Sequence, residues 1–348
     1  MLRPTFARPT WSIRSRVVIL LLAPLVPLLG MWVFSTGISL SAAGNLLDAK
    51  TNGDEIGLPA SNTVYFLQSE RKLSAIFVTT GQADPALKTG RKDVDASIAD
   101  LRVRTAKPSA QDAASPQTKH YLAELMTALE QLPSARAAID TRQYDRLDVM
   151  GVYDGIIDKA FALYESISGL IDDHEVARAA NTVVRLTEAR EIYCREDAII
   201  SAVLAGGGTL EAGERGYAVQ QIGSQRQMYI TATRELHPDD RVSYENTVGG
   251  DPYKRLHAAE NRIADSSRGL ISGVTATQWN ADWTALNTQL TALETAAVDR
   301  TLASADTIAT SIVLRRCFTR MTPNAWPTAC VRGNNSRTRV GGASVAMS

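Results

Sequence analysis

Apolar residues recur along most of this chain at spacings of three and four, the period of a helix with one buried face. In the run TVYFLQSERKLSAIFV, the residues Val64, Leu67, Arg71, Ser74 and Val78 share such a face, which predicts a helix over 61–79. Gly81 and Pro85 interrupt it, a second helix is expected over 86–104, and Pro108 ends that region. Ser115 followed by Pro116 reads as an N-cap with proline in the first helical position. Tyr121, Leu122, Leu125, Met126, Leu129 and Leu132 then form a stripe that Pro133 is expected to stop. The next stripe is Val149, Val152, Ile156, Ala160, Leu163, Ile167 and Leu170. A helix over 172–204, compatible with continuity from its predecessor, stops at Gly206, Gly207 and Gly208. Further helices are expected over 211–236, 253–267 and 277–314, with a turn in NTVGGDPY. Trp279, Trp283, Leu286, Leu290 and Leu293 form the stripe of the last one. No alternating strand-and-turn series interrupts this pattern. Long amphipathic helices joined by short breaks pack as antiparallel bundles. The chain is too long for one four-helix unit, so the expected fold is all-α: an elongated antiparallel helical bundle, or two bundles sharing helices.

The two ends differ from this middle. Residues 1–16 carry Arg3, Arg8, Arg14 and Arg16, and 17–38 hold no charge at all. Roughly twenty apolar residues span a bilayer, and a basic flank sets the amino terminus inside. An N-terminal transmembrane helix is therefore expected over 17–38, with the bulk of the chain, 45–314, extracytoplasmic. A cleaved signal peptide is the rival reading, through the small residues Ser41, Ala42 and Ala43. The apolar run, however, exceeds the usual signal core of about 7–15 residues. After Asp306 no acidic residue occurs, and arginines are scattered among Pro, Gly, Asn, Ser and Thr. The segment 315–348 is expected to be a basic low-complexity tail, disordered or the product of a shifted reading frame.

Composition narrows the functional classes. Lys+Arg and Asp+Glu are both 37, so no charge excess points to nucleic acid. Aromatics are 6% of residues, which favours helices over sheets. The cysteines Cys194, Cys317 and Cys330 form neither a disulfide framework nor a metal-ligand spacing. His120, His174, His237 and His257 are isolated, without zinc-site spacing or the context of a phosphorylated histidine. Gly206–Gly208 lacks the lysine of a phosphate loop. No enzymatic activity is readable, and neither a cofactor nor a metal is implied.

One residue stands out. Arg71 occupies a face whose other members are apolar or small, and a guanidinium cannot shed its charge, so it needs an anionic partner. Its planar fork matches a carboxylate or a small oxyanion such as nitrate or nitrite. Ser74, one turn on, offers a hydroxyl, and Ala75 leaves room. Periodicity by itself favours an internal carboxylate, Glu70 or one on a facing helix, because structural ion pairs are common. The later run Ile192–Ser201 echoes the first, with Ile192, Arg195, Ile199 and Ala202 on one face. A second arginine across a bundle would let two guanidiniums grip one anion. Glu196 and Asp197 lie beside it and could neutralise either arginine.

Four stretches together carry a family resemblance: SIRSRVVILLLAPLVPLLGMWVF, FLQSERKLSAIFV, LTEAREIYCREDAIISAVLAGG and QWNADWTAL. Over about 13–314 they resemble the amino-terminal half of actinobacterial sensor histidine kinases that carry a nitrate- and nitrite-sensing domain. The resemblance implies paired four-helix bundles with nitrate held between helices by arginines, in a membrane-anchored homodimer of a two-component system. Arg71 falls on the first motif arginine. The second motif usually reads Glu-Arg-Ala; here the matching residues are Glu196, Asp197 and Ala198, so aspartate replaces arginine. Arg195 is adjacent but turned by about 100°. The expected ligand-binding residues are Arg71, Ser74 and Arg195. Such kinases continue into a second membrane helix and a catalytic module; neither is read here, so the chain is expected to be a sensor region truncated before its output. The alternative is a structural or partner-binding helical bundle, in which Arg71 is satisfied by an internal acid.

Overall fold

The computed structural model describes residues 44–320 except 46, 83, 172 and 266–269, with backbone alone at 306 and 308–320. After helical residues at 44–45 and 47–52, these α-helices follow in order: α1 Leu58–Thr80, α2 Pro85–Thr105, α3 Pro108–Ala113, α4 Pro116–Glu130, α5 Leu132–Asp140, α6 Arg146–Ser168, α7 His174–Ala205, α8 Ala212–Ala232, α9 Pro238–Gly249, α10 Asp251–Asp265 and α11 Ala276–Arg320. A π-helical turn, Gly53–Gly57, leads into α1 without a break, since Gly57 is itself in the right-handed helical region. No β-strand occurs among the described residues beyond one isolated bridge between Thr209 and Leu270.

Local chemistry explains where most helices begin. Asp84 accepts from the Ala86 N–H, and Ser115 from the Thr118 N–H. Asp145 and Asp148 form a reciprocal capping box at the start of α6. Asp173 accepts from the N–H groups of Glu175 and Val176, so α7 is a new helix with its own cap and not a continuation of α6. Gly81 closes α1 in the left-handed conformation at φ 68°, where its N–H bonds the Phe77 carbonyl.

Two apolar cores result. The first joins α1, α2, α4 and α6 through residues such as Leu67, Leu101, Leu125 and Ile157. The second joins α7, α8, α10 and α11, with Ile199, Ile222, Leu256 and Leu286 among its members. Both bundles meet along α7, which packs on α1 and α6 as well as on α8 and α11. The all-helical architecture is thus present, with two apolar cores that share α7, and the expected stripe of Trp279, Trp283, Leu286, Leu290 and Leu293 is buried throughout.

Several expectations are corrected. Pro133 does not stop a helix; it lies in the first turn of α5, where no N–H is required. Pro238 starts α9 in the same way, and that helix was unforeseen. α11 continues past Leu314 to Arg320, so the first residues assigned to a disordered tail are helical. The rest of that tail, like the membrane helix expected over 17–38, lies outside the described residues. Among those described, no helix is long and apolar enough to cross a membrane.

Candidate functional site

Arg71 is fully buried where α1 crosses α6 and α7. Its Nη1 donates to Glu191 Oε1 at 2.6 Å and to Asp154 Oδ1 at 2.7 Å, and its Nη2 donates to Glu191 Oε2 at 3.2 Å. The forked partner is therefore an internal carboxylate, but none of those adjacent in sequence. Glu70 turns away to Arg136, which donates to it at 2.7 and 2.8 Å. Arg71 Nε, buried, has no hydrogen-bond partner.

Arg195 joins the same cluster. Its Nε donates to Glu191 Oε1 at 2.8 Å, and its outer nitrogen reaches Asp158 at the surface. Arg195 lies one turn after Glu191 on α7, the spacing at which side chains meet on a helix. The two arginines singled out in the sequence do grip one anion, and that anion is the Glu191 carboxylate. Gln68 Nε2 adds a fourth donor to Glu191 at 2.7 Å. Asp154 is completed by the Tyr217 hydroxyl of α8, which donates at 2.6 Å.

Ser74 belongs to a different cluster. Its hydroxyl is 3.2 Å from the Tyr153 hydroxyl, which donates to Glu70. The i, i+3 spacing put Ser74 on the right face, but one turn along α1 is enough to hand it to another acid. Asp197, expected from the resemblance to stand in place of a motif arginine, pairs with Lys72 at 2.9 Å. It also accepts from the Trp279 indole at 2.9 Å and from Ser201. Neither Glu196 nor Asp197 neutralises Arg71 or Arg195 through a hydrogen bond.

Electrostatics separates the two acids on Arg71. Burial pushes the Glu191 carboxyl up, but Arg71 and Arg195 outweigh it and hold the pKa below the usual range. For Asp154 burial wins over the same two arginines, and its pKa is raised. Burial opposes the charge of Arg71, yet Glu191 and Asp154 reverse that effect and raise its pKa. The arrangement is a planar-oxyanion cradle of two guanidiniums, filled by one firmly ionised acid and one that takes up a proton more readily.

Glu191, Asp154 and Tyr217 escaped the sequence reading. Only Glu191 carried a signal, as an acid one turn from Arg195; Asp154 and Tyr217 come from separate helices and nothing local marks them.

Residues 62–302 match the family described as nitrate and nitrite sensing. The structure of the NasR transcription antiterminator is similar, with a TM-score of 0.68 at 21% identity, covering 83% of this chain and 77% of that one. No curated protein matches the chain.

Proposed function

The chain belongs to the nitrate and nitrite sensing family, and on that basis we propose that it senses nitrate or nitrite at the Arg71–Arg195 cradle. The observation that carries this reading is the convergence of both guanidiniums on Glu191 Oε1, at 2.6 and 2.8 Å. A carboxylate and a nitrate ion offer the same planar pair of oxygens to such donors. In the described state the internal acids occupy the donors, and the external anion enters by taking the place of Asp154 on Arg71 Nη1. Asp154 is the weaker of the two holders: its side chain is 11% exposed against 0% for Glu191, and its charge is disfavoured by burial. Release of Asp154 removes one of the ties between α6 and α1, and also frees Tyr217 on α8 from its acceptor. A ligand that prefers this looser packing shifts the bundle between two states.

We read the chain as a membrane-anchored extracytoplasmic sensor, working as a homodimer and feeding a two-component output. Support for the anchor is the uncharged run 17–38 behind four arginines. Ser74 enters the ligand reading only indirectly, through Tyr153 and Glu70. Calorimetry of the full chain in detergent with sodium nitrate, against chloride, tests the binding. Saturable heat that is lost in Arg195→Ala supports it; no nitrate heat in the wild type overturns it.

The second reading is a structural bundle in which the cluster is only a buried ion-pair network. The complete pairing of Arg71 Nη1 and Nη2 favours it. The same titration decides, because a purely structural network has no nitrate isotherm.

A further inference from the structure

The hydrogen bonds of the cradle do not end at Glu191. Gln68 lies three residues before Arg71 on α1, a spacing that puts both on one helix face, and it is buried. Its Nε2 donates at 2.7 Å to Glu191 Oε2, the same oxygen that accepts from Arg71 Nη2 at 3.2 Å. Its Oε1 accepts from Arg190 Nη1 at 3.2 Å. Arg190 in turn sets its Nε on both oxygens of Glu294, at 2.9 and 2.8 Å. Arg71, Glu191, Gln68, Arg190 and Glu294 thus form one chain of hydrogen bonds from α1 through α7 to α11, buried at every member.

Charge fixes the direction of this chain. A side-chain amide has a donor end and an acceptor end. The donor end of Gln68 faces a carboxylate and its acceptor end faces a guanidinium. A flipped amide would set oxygen against Glu191 and NH2 against Arg190, losing both bonds. Arg190 and Glu191 are neighbours on α7, turned from one another by about 100°. The cation therefore reaches Glu294 on α11 while the acid reaches Arg71 on α1, and Gln68 joins the two. At the far end, Glu294 is next to the buried Leu293 and one turn from Leu290 of the second core. Burial raises the Glu294 pKa and Arg190 opposes that rise, so withdrawal of Arg190 favours the neutral acid. Buried networks of this kind are cooperative, and a member left unpaired is costly.

We infer that Gln68, Arg190 and Glu294 are a relay that carries the state of the Arg71–Glu191 pair to α11 and the second core. A change in how Arg71 shares Glu191 reaches Gln68 at one common oxygen. A shift of Gln68 with Glu191 alters its contact with Arg190, and Arg190 is the cation of Glu294. Gln68 is a positioning residue in this scheme, since it touches Glu191 and not the incoming anion. The signalling role rests on the nitrate reading, whereas the link between the two bundles does not.

The test uses the full chain in detergent, with sodium nitrate as the probe and chloride as the control. Calorimetry reads binding, and hydrogen exchange reads α11 over 286–298. Nitrate is expected to change exchange there at least threefold in the wild type. Glu294→Gln leaves every cradle residue in place. Saturable nitrate heat is expected to persist in that variant while the exchange response of α11 disappears. A response in Glu294→Gln equal to that of the wild type overturns the relay. Denaturant unfolding tests the link without nitrate. Gln68→Met keeps the length of the side chain and strands no buried charge, so the variant folds. Gln68 and Glu294 share Arg190 as a partner. Their double variant is expected to depart from additivity at least threefold in the folding equilibrium constant, and additivity within twofold overturns the proposal. Absence of nitrate heat in the wild type would sink the ligand reading, and the unfolding cycle then decides the relay by itself.

Discussion

Glu191 takes both terminal nitrogens of Arg71, at 2.6 and 3.2 Å, across 120 residues of sequence and between the two bundles. Both side chains are completely buried. The bond ties α1 of the first bundle to α7, the helix common to both cores, and Asp154 adds α6 to the same guanidinium. A change in who holds Arg71 is therefore a change in how three helices pack. That coupling is what a sensor of a small ion requires, because nitrate itself has few atoms with which to move a bundle.

Arg71→Ala leaves Glu191 and Asp154 as buried acids with one guanidinium between them. Breaking a buried pair by removing one partner costs about 3–5 kcal/mol, and a loss of that order is expected in denaturant unfolding. Glu191→Ala in the same background is expected to cost far less than in the wild type. A double-mutant cycle with coupling under about 0.5 kcal/mol would show that the two residues do not act as a pair.

Nitrate affinity is expected to rise as pH falls from neutral toward the carboxylate range. The Asp154 pKa is raised in the folded protein, with burial the leading cause. Its proton removes the rival negative charge beside Arg71 Nη1 and leaves only a weaker neutral acceptor, and an anion bound beside it favours protonation further. Glu191, held low by Arg71 and Arg195, stays ionised over the same range. The charged groups facing Asp154 are Arg71 on α1 and Arg195 and Glu191 on α7, with the Tyr217 hydroxyl from α8. Calorimetry at several pH values checks the sign. Asp154→Asn is expected to bind more tightly at neutral pH and to lose the dependence.

Asp197→Arg introduces the arginine that the sequence resemblance leads one to expect, but is expected to destabilise the chain. It sets a guanidinium against Lys72, whose ammonium pairs with Asp197 at 2.9 Å. It also removes the acceptor of the buried Trp279 indole. An unsatisfied buried donor alone costs about 1–3 kcal/mol. Thermal unfolding should show a lower midpoint, partly recovered by Lys72→Glu in the double variant.

The sequence carried the helical architecture because long stripes report burial directly. Trp279, Trp283, Leu286, Leu290 and Leu293 repeat through about four turns, and Arg71 on a small, apolar face announced its own burial. Helix α9 was not legible, because its sequence PDDRVSYENTVG buries only Asp240 and Thr247 and has no apolar stripe to detect. Proline was ambiguous for a related reason. Pro133 and Pro238 begin helices, and only the cap and the following turn distinguish that from an ending. The partners of Arg71 were hidden by distance, since Asp154 and Glu191 lie 83 and 120 residues away and periodicity describes one helix at a time.

Arg71 and Arg195 share Glu191 but are expected to fail differently when removed. Arg71 is enclosed, so its loss is chiefly a loss of stability. Arg195 keeps 15% of its side chain in solvent, where its outer nitrogen holds the exposed Asp158. Glu191 without Arg195 still has Arg71 and Gln68 as donors. Arg195→Ala should therefore unfold within about 3 kcal/mol of the wild type, since one of its two charged hydrogen bonds, to Asp158, is at the surface and the buried one is on the scale of about 1.5–3 kcal/mol. Its nitrate affinity should nevertheless fall by at least tenfold, because the second guanidinium of the cradle is gone. Unfolding and nitrate titration on the same preparation separate the two effects. Equal nitrate affinity in Arg195→Ala and the wild type would remove Arg195 from the binding site and leave it as a structural brace for Glu191.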